Sequence, residues 1–584
     1  VSQDPTSGLI APDTTGLNFY TADPSLRDLL AIHLPEDLRR HIEPHLAELG
    51  ALAGGRLDEC ARLADRHPPV LHHRDRFGRD EQWIEYHPAY RELEAAAFGR
   101  FGIHAMSHRP GILGWPKRYP ATAKHAFTYL FNQAEFGLGC PINVTDGAAM
   151  LLDRYGSEWL KSRYLDGLTT TDMERLTQGA QFMTEKEGGS DVGRLTTTAV
   201  PDGEHWRLYG EKWFCSNADA GIAMLLARPE GAPPGTRGVA LFLMPRRLDD
   251  GTLNRYRIVR LKDKLGTRSM ASGEIKLEGA LAYHVGRLDR GFVQMADMVN
   301  WSRLSNGVKS TALMRRAMHD ALTVAFGRIA FGRRIVEHPL ARRQLLKMML
   351  PLEQALSLSF VTADALERAE RGGSQEAAAL VRILTPVLKF RATRDARKVC
   401  GDALEMRGGV GYVEEFATAR LLRDAHLGSI WEGTGNIIAL DALRRAVGRH
   451  GTEAALADDL HARIEEATGV PIAYRDRLKR LADRAVAFAR SVAASADMEA
   501  DSRRATSALY HVASAVSLAW EASLTHERRG DARRLLLSRL VLDHRLASTD
   551  PFAAAAAAIE DRIADLLLSD RPVPMDEAGE LATA

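Results

Sequence analysis

The stretch Gln181–Val192 reads QFMTEKEGGSDV, and the texture of the chain changes across it. Upstream, to about Ala180, the pattern is helical. Glu36–Gly50 (EDLRRHIEPHLAELG) spaces Leu38, Ile42, Leu46 and Leu49 at helical intervals, with Pro44 inside as a candidate kink or break. The helical reading continues over His125–Phe136 and Gly147–Leu165. Downstream, from Phe182 to about Gly286, the signals are those of strands. Thr196–Val200 is β-branched, Trp206–Tyr209 is short and aromatic, and Glu274–Glu278 alternates. Gly238–Met244 (GVALFLM) is a continuous apolar run, as in a strand buried on both faces, and GAPPGTRG at Gly231–Gly238 marks a hairpin loop. After Gly291 long Ala/Leu/Arg-rich helices return to about His450, and a further helical block fills Gly451–Ala584, its last dozen residues from Val573 expected to fray. This order predicts an α+β protein with segregated classes: a helical domain over 1–180, a β-domain over 181–288, a helical domain over 289–450 and a helical extension over 451–584.

A chain of 584 residues has room for three to five domains or lobes. It carries 77 Lys+Arg against 76 Asp+Glu, which excludes a binder of nucleic acid or anionic membrane held by net charge alone. Cys60, Cys140, Cys215 and Cys400 form no CxxC pair, so neither a disulfide framework nor a cysteine-rich metal site is expected, and a reducing, cytoplasmic setting fits. The start, VSQDPTSGLIAPDTTG, lacks the pattern of a secretory signal, and Ala505–Trp520 is too short and polar to span a membrane. No GxGxxG follows a strand, and GxxxxGK[ST], HExxH and GxSxG are absent.

Four segments could carry chemistry, and each has a plainer reading when taken alone. Gly188-Gly189, with the hydroxyls of Thr184 and Ser190, could hold a phosphate or a polar ring edge, or be a simple turn. GEKWFCSNA (Gly210–Ala218) offers Trp213 and Phe214 to a flat cofactor, although a core aromatic is the commoner case. RGGVGYVEE (Arg407–Glu415) reads equally as a helix C-cap. SIWEGTGNIIALDALRR (Ser429–Arg445) puts Glu432 between Trp431 and Gly433 in a loop before a helix. Asn436 is the expected N-cap there, and Ile437, Leu440, Leu443 and Val447 the expected buried face. A carboxylate so placed can be desolvated and act as a base, or be a surface Glu in a turn.

The order of these segments is more specific than any one of them. TEKEGGSDV, GEKWFCSNA, GRIAFGRRIVEHPL (Gly327–Leu340), RGGVGY and IWEGTGNI resemble, in order and spacing, five signature segments of the acyl-CoA dehydrogenase flavoproteins, over about Arg100 to His450. Lys186 in place of the usual Pro, RLKDKLGTRSMAS (Arg260–Ser272), Trp431, NFYTADPSLRDLL, RHPPVLHHRDRFGRD and the C-terminal extension are similar to the AidB branch, which contains a bacterial alkylation-response flavoprotein described as protecting DNA. The resemblance implies a central antiparallel β-domain, a C-terminal four-helix-type domain and bound FAD. Met183, Thr184, Gly189, Ser190, Phe214, Ser216, Trp431 and Thr434 then match positions around the cofactor. Arg328, Phe331, Glu405, Gly408 and Gly409 match residues that reach a neighbouring subunit's FAD, which implies a homo-oligomer, usually a tetramer. Glu432 matches the catalytic base, removing the α-proton of an acyl thioester such as an acyl-CoA while hydride passes to the flavin and on to an electron-transfer flavoprotein. A minority of the family places the base just before an arginine matching Arg303, but Ser302 stands there and is no base.

Three functions are thus in view: an acyl-CoA dehydrogenase, a DNA-associated flavoprotein with weak dehydrogenase activity, and an assembly protein keeping FAD structurally. The intact FAD loop and Glu432 weigh against the third. Gly451–Ala584 holds 17 Lys+Arg and 22 Asp+Glu, so DNA contact would have to rest on local clusters. Those clusters, Arg475 to Arg480 and Arg528 to Arg539, are interleaved with acids and read as solvated helical faces. Arg444 matches a DNA-implicated arginine of the AidB branch, but ordinary acyl-CoA dehydrogenases have an Arg there too.

Overall fold

The computed structural model describes residues 12–547 and 557–584. The reading of the first eleven residues as no secretory signal lies outside the described residues. The chain forms two compact units, each assembled from separated stretches. The first takes Gly55–Pro120 and Ala134–Ser305; the second takes the chain up to Gly54, Ala121–Gln133 and Asn306–Ala584.

In the first unit β1 (Val70–Arg74) and β2 (Asp80–Glu85) make a separate hairpin. The main sheet contains β3 (Gly179–Phe182), β4 (Thr198–Asp202), β5 (His205–Ser216), β6 (Ile222–Pro229), β7 (Ala240–Pro245), β8 (Tyr256–Leu261) and β9 (Ser272–His284). Antiparallel pairings β4–β5, β5–β9, β9–β7 and β7–β6, with β4 returning to β6, close it on itself. β3 and β4 both run parallel to β6, so the sheet is mixed where a wholly antiparallel one was expected. The cause is the long excursion through β4 and β5 between β3 and β6, which brings the chain back in the same direction. β7 is buried at every position, as its unbroken apolar run predicts. The helix expected over Gly147–Leu165 is two, Gly139–Tyr155 and Glu158–Thr169. Ser157 caps the second, its Oγ accepting from the Leu160 N–H at 3.3 Å.

In the second unit the helix Glu36–Ala53 runs unbroken through Pro44 and buries Leu38, Ile42, Leu46 and Leu49 on one face. The helix expected to reach Phe136 spans Ala121–Phe131. Beneath these lies a chain of buried charges. Arg315 Nε lies 2.9 Å from Asp23 Oδ2, and its Nη2 lies 2.6 Å from Glu353 Oε1. Tyr129 donates to Asp23 at 2.7 Å. Arg534, only 2% exposed, pairs with Glu521 at 2.7 Å and Glu353 at 3.4 Å, and Ser357 donates to Glu521 at 2.6 Å. The extension therefore shares the interior of this unit. Its Arg clusters lie on solvated helical faces as expected, Arg480, Arg528 and Arg529 being exposed, with one departure: Arg534 is buried, while Arg529 pairs with Asp28 at 2.8 Å, Arg533 with Asp531 at 2.8 Å and Arg539 with Asp543 at 2.6 Å. The tail does not fray either. Val573 is buried and its N–H donates to Asp531 at 3.2 Å, and the helix Met575–Thr583 buries Leu581 and Ala582 while Arg539 donates to the carbonyls of both.

Replacing Arg534 by Met leaves Glu521 and Glu353 buried without their shared cation, a loss of about 3–5 kcal/mol. Thermal unfolding should show a large fall in midpoint for Arg534→Met and recovery in Arg534→Met/Glu521→Met; an unchanged midpoint would show that the network carries no fold.

Candidate active site

QFMTEKEGGSDV leaves β3 and turns at once, Glu185 and Gly188 exchanging backbone hydrogen bonds of 3.2 and 3.3 Å. Glu185 points inward. It accepts from Lys212 Nζ at 2.6 Å, Thr197 Oγ1 at 2.5 Å, Thr196 Oγ1 at 2.9 Å and the Thr196 N–H at 2.5 Å. Lys212 also donates to the Leu226 carbonyl at 2.7 Å, and both charged side chains are 0% exposed. Burial pushes the Glu185 carboxyl up, but the Lys212 ammonium and the hydroxyl donors outweigh it and hold the group below the usual carboxylate range. Gly210 permits the close approach of β5: at φ +143° it is outside the range of L side chains, and a Cβ there would lie 2.8 Å from Thr197 Oγ1.

Between Lys212 and Cys215 the register of β5 on β9 slips. Trp213 then donates its N–H to the Thr184 carbonyl at 2.8 Å, which joins the two sequence segments, and Phe214 adopts φ +56°. The bulge turns Phe214 outward, 60% exposed, so it is not a core aromatic. Lys262 Nζ sits 3.2 Å from the Trp213 ring centroid and 4.9 Å from that of Phe214, and pairs with Glu274 at 2.5 Å. Met183 and Thr184 are half-buried, Gly189 and Ser190 exposed, and Ser216 lies with its Oγ 3.4 Å from Ser272 Oγ. Arg303, on the helix Gly291–Gly327, donates to Asn300 Oδ1 at 3.0 Å, and the buried Ser302 beside it accepts from Asn143 at 2.7 Å.

In the second unit Trp431, Glu432 and Thr434 lie on one loop. Asn306 holds its approach, donating to the Gly428 carbonyl at 2.9 Å. Lys389, buried, donates to the carbonyls of Trp431 at 2.9 Å and of Gly433, and Lys309 Nζ rests 4.6 Å from the Trp431 ring centroid. Glu432, half-buried between these gripped carbonyls, is held at φ +56°, a costly conformation for a residue with a Cβ. Thr434, not the expected Asn436, occupies the N-cap position of the helix Gly435–Leu440. The buried face is Ile438, Ala439, Ala442, Leu443, Ala446 and Val447 in place of the stripe through Ile437 and Leu440. Leu443 and Val447 are buried as expected, within the π-helix Asp441–Val447; the departure is confined to the preceding turn, Gly435–Leu440.

Arg328 precedes a two-residue hairpin whose turn carries Phe331 at φ +53°, 97% exposed. Gly408, at φ +66°, is the left-handed residue that follows the C-cap Arg407 of the helix Gln375–Met406, and a Cβ on it would lie 4.0 Å from Arg328 Nη1. Those two expected segments therefore meet on one surface, with Glu405 and Gly409 exposed and Tyr412 80% exposed. The expected residues fall into two sets: Met183, Thr184, Gly189, Ser190, Phe214, Ser216 and Arg303 in the first unit, the others in the second. Glu185, Lys212, Lys309 and Lys389 were not singled out from the sequence. Two of these stand inside the quoted segments, as the only opposite charges there without a surface role.

Residues 10–175 match the adaptive response protein AidB N-terminal domain, 180–280 the acyl-CoA dehydrogenase middle domain and 289–447 the acyl-CoA dehydrogenase C-terminal domain. The chain is 33% identical to acyl-CoA dehydrogenase family member 11 of Caenorhabditis elegans, over 81% of this chain and 77% of that one. It belongs to the acyl-CoA dehydrogenase family. Within that family it is also similar to putative acyl-CoA dehydrogenase AidB of Escherichia coli, 35% identical over 66% of this chain and 70% of the relative. The crystal structure of C. elegans ACDH-11 in complex with C11-CoA superposes with a TM-score of 0.85 at 27% identity, covering 98% of each chain. As an acyl-CoA dehydrogenase-like flavoenzyme this protein uses FAD. Its residues fit that group: Phe214 presents an open aromatic face, and Gly189, with only Thr184 Cγ2 within 4 Å of its absent Cβ, opens the backbone beside the hydroxyls of Thr184 and Ser190.

The Glu185–Lys212 pair sets an acid limit on this loop. With its folded pKa depressed, Glu185 contributes stability above about pH 4.3, its unfolded value, and loses it as pH falls through the folded value. Thermal midpoints measured from pH 6 to 3 should fall steeply in the wild type and less in Glu185→Gln, while Lys212→Met should lose about 3–5 kcal/mol at neutral pH.

Proposed function

We propose that this enzyme dehydrogenates an acyl thioester between Cα and Cβ, with Glu432 as the base. The observation that carries the reading is the Glu432 loop: a half-buried carboxylate in a left-handed backbone conformation, with the carbonyls on either side gripped by the buried Lys389. Pre-organisation of this kind suits a group that must meet a weakly acidic C–H in one geometry. The thioester carbonyl acidifies the α-position, the Glu432 N–H donates to that carbonyl as charge develops, and the Glu432 carboxylate takes the α-proton. FAD, when bound, supplies the acceptor for the β-hydride. Met183, Thr184, Gly189, Ser190, Ser216 and Thr434 are assigned to hold the coenzyme through backbone and hydroxyl groups, with Phe214 and Trp431 as aromatic walls. Arg303 is assigned to the catalytic set with Glu432 on the match to the family's arginine. Ser302 offers no carboxylate and is occupied with Asn143.

Exposure of Phe331 and Tyr412, and the meeting of Arg328 with Gly408, support a homo-oligomer, taken as a tetramer, in which Arg328, Phe331, Glu405, Gly408 and Gly409 reach a neighbour's FAD. The four buried free thiols suit a reducing, cytoplasmic setting, and an electron-transfer flavoprotein is the natural acceptor of the electrons. A role in the DNA alkylation response is the second reading. It is disfavoured at Arg444, whose guanidinium donates to the carbonyls of Ala493 at 3.1 Å and Ser495 at 3.0 Å.

Purified protein should be yellow. Glu432→Gln should keep FAD and lose anaerobic bleaching by acyl-CoA, tested over a chain-length panel that includes the C11 thioester, by roughly 100-fold or more. Bleaching at the wild-type rate would remove Glu432 as the base. Phe331→Asp should yield smaller assemblies by light scattering and a lower FAD content; an unchanged mass would remove that surface from the interface.

A further inference from the structure

Many arginines of the second unit are matched by carboxylates, but two half-buried ones along one seam are not. Arg391, Arg394 and Arg397 follow at intervals of three on the helix Gln375–Met406, and Arg503 stands at the start of the helix Ser502–Arg529 in the extension. Arg391 is answered by the buried Asp395 at 2.6 Å, and Arg504 by Asp501 at 3.4 Å. Arg394, Arg397 and Arg503 have no carboxylate partner among the described residues, and the Nε atoms of Arg394 and Arg397 are buried without an acceptor. Burial and the positive charges of Arg503, Arg391 and Arg397 hold the Arg394 guanidinium below its ordinary range. The guanidinium groups of Arg394 and Arg503 converge on one spot. Arg394 Nη1 lies 3.8 Å from where a Cβ of Gly435 would be, and its guanidinium stacks 5.4 Å from the Phe390 ring centroid. Arg503 donates to Asn436 Oδ1 at 3.4 Å. The glycine keeps the space open, and Gly435–Asn436 directly follows Thr434.

Arg394 and Arg397 are half-buried and Arg503 is exposed beside them; half-buried cations that are repelled by neighbouring cations and lack a carboxylate partner cost free energy until an anion arrives. The planar guanidinium fork matches a phosphate better than any other common anionic group of that size. We propose that Arg394 and Arg503 form a phosphate site beside Gly435–Asn436, which takes a phosphate or diphosphate group of a nucleotide coenzyme, FAD or CoA. The site joins a helix of the dehydrogenase C-terminal domain to one of the extension, and so gives the extension a part in coenzyme binding. It rests on the coenzyme reading above, and deepens it.

The test uses the full chain with Arg394→Gln, Arg503→Gln and both together. FAD affinity is read from flavin fluorescence on dilution, and affinity for CoA and 3′-dephospho-CoA from calorimetry. The expected result is a loss of roughly tenfold or more for one coenzyme in the double variant. The melting temperature of FAD-free protein should be unchanged or raised, because repulsion is relieved. Weakened FAD assigns the site to the dinucleotide diphosphate. Weakened CoA with FAD retained assigns it to CoA, and to the 3′-phosphate if 3′-dephospho-CoA is unaffected. Both affinities within about twofold of wild type would overturn the proposal, whether or not duplex DNA binding changes. A fall in the FAD-free melting temperature would also overturn it, marking the cluster as structural. Wild-type protein that binds neither coenzyme would defeat the coenzyme reading itself, an outcome visible before any variant is made.

Discussion

Glu185 and Lys212 meet where neither side chain touches water. A charge in such a place is tolerated only when its partner and all its remaining hydrogen-bonding sites are supplied in the right positions. Supplying them requires Thr196 and Thr197 to enter β4 beside the carboxylate, β5 to run close enough for Gly210 to lack a side chain, and the Leu226 carbonyl of β6 to face Lys212. The pair contributes position more than stability. Once it is in place, the turn after Glu185 and the bulge after Lys212 are set relative to each other, and the Trp213 N–H closes on the Thr184 carbonyl. The exposed groups assigned to the coenzyme, Phe214 and Ser190 among them, project from that frame.

The second unit solves a similar problem with lysines and arginines. Lys389 gives up its solvation to grip two carbonyls, and the strain at Glu432 is met by those bonds. Arg315 and Arg534 share Glu353 and so link the segment around Asp23, the central helices and the extension into one interior. Within this interior of matched charge, Arg394 is a half-buried cation with no carboxylate partner among the described residues, and Arg503 stands beside it.

Much of this was legible in the chain. Periodicity located the helix Glu36–Ala53 with its buried leucines, the apolar run of β7 and the change from helices to strands, because burial of one face or both leaves a direct mark on residue spacing. Motif order carried the family, since five segments in one order are more specific than any one of them. What the spacing does not carry is partnership. The turn Gly435–Leu440 buries Ile438 and Ala439 and not Ile437 and Leu440, and the parallel pairing of β3 and β4 with β6 is a matter of how the chain returns to the sheet. Val573 and the final helix read as a loose tail, yet Asp531 and Arg539 hold them by backbone groups that no side-chain pattern announces.

The sequence by itself determined the residue types in each segment, the class of each stretch and the family. Only the tertiary structure decided which charges of the chain are structural and which are left for a ligand. Glu185 and Arg534 look like any surface acid and base in sequence, and become internal because a partner from a distant stretch arrives at hydrogen-bond distance. Phe214 and Glu432 are ordinary letters until a bulge and a pair of gripped carbonyls force them into left-handed backbone and turn them outward or hold them in place. Electrostatic matching in a low-dielectric interior depends on distance in space, and distance along the chain does not report it.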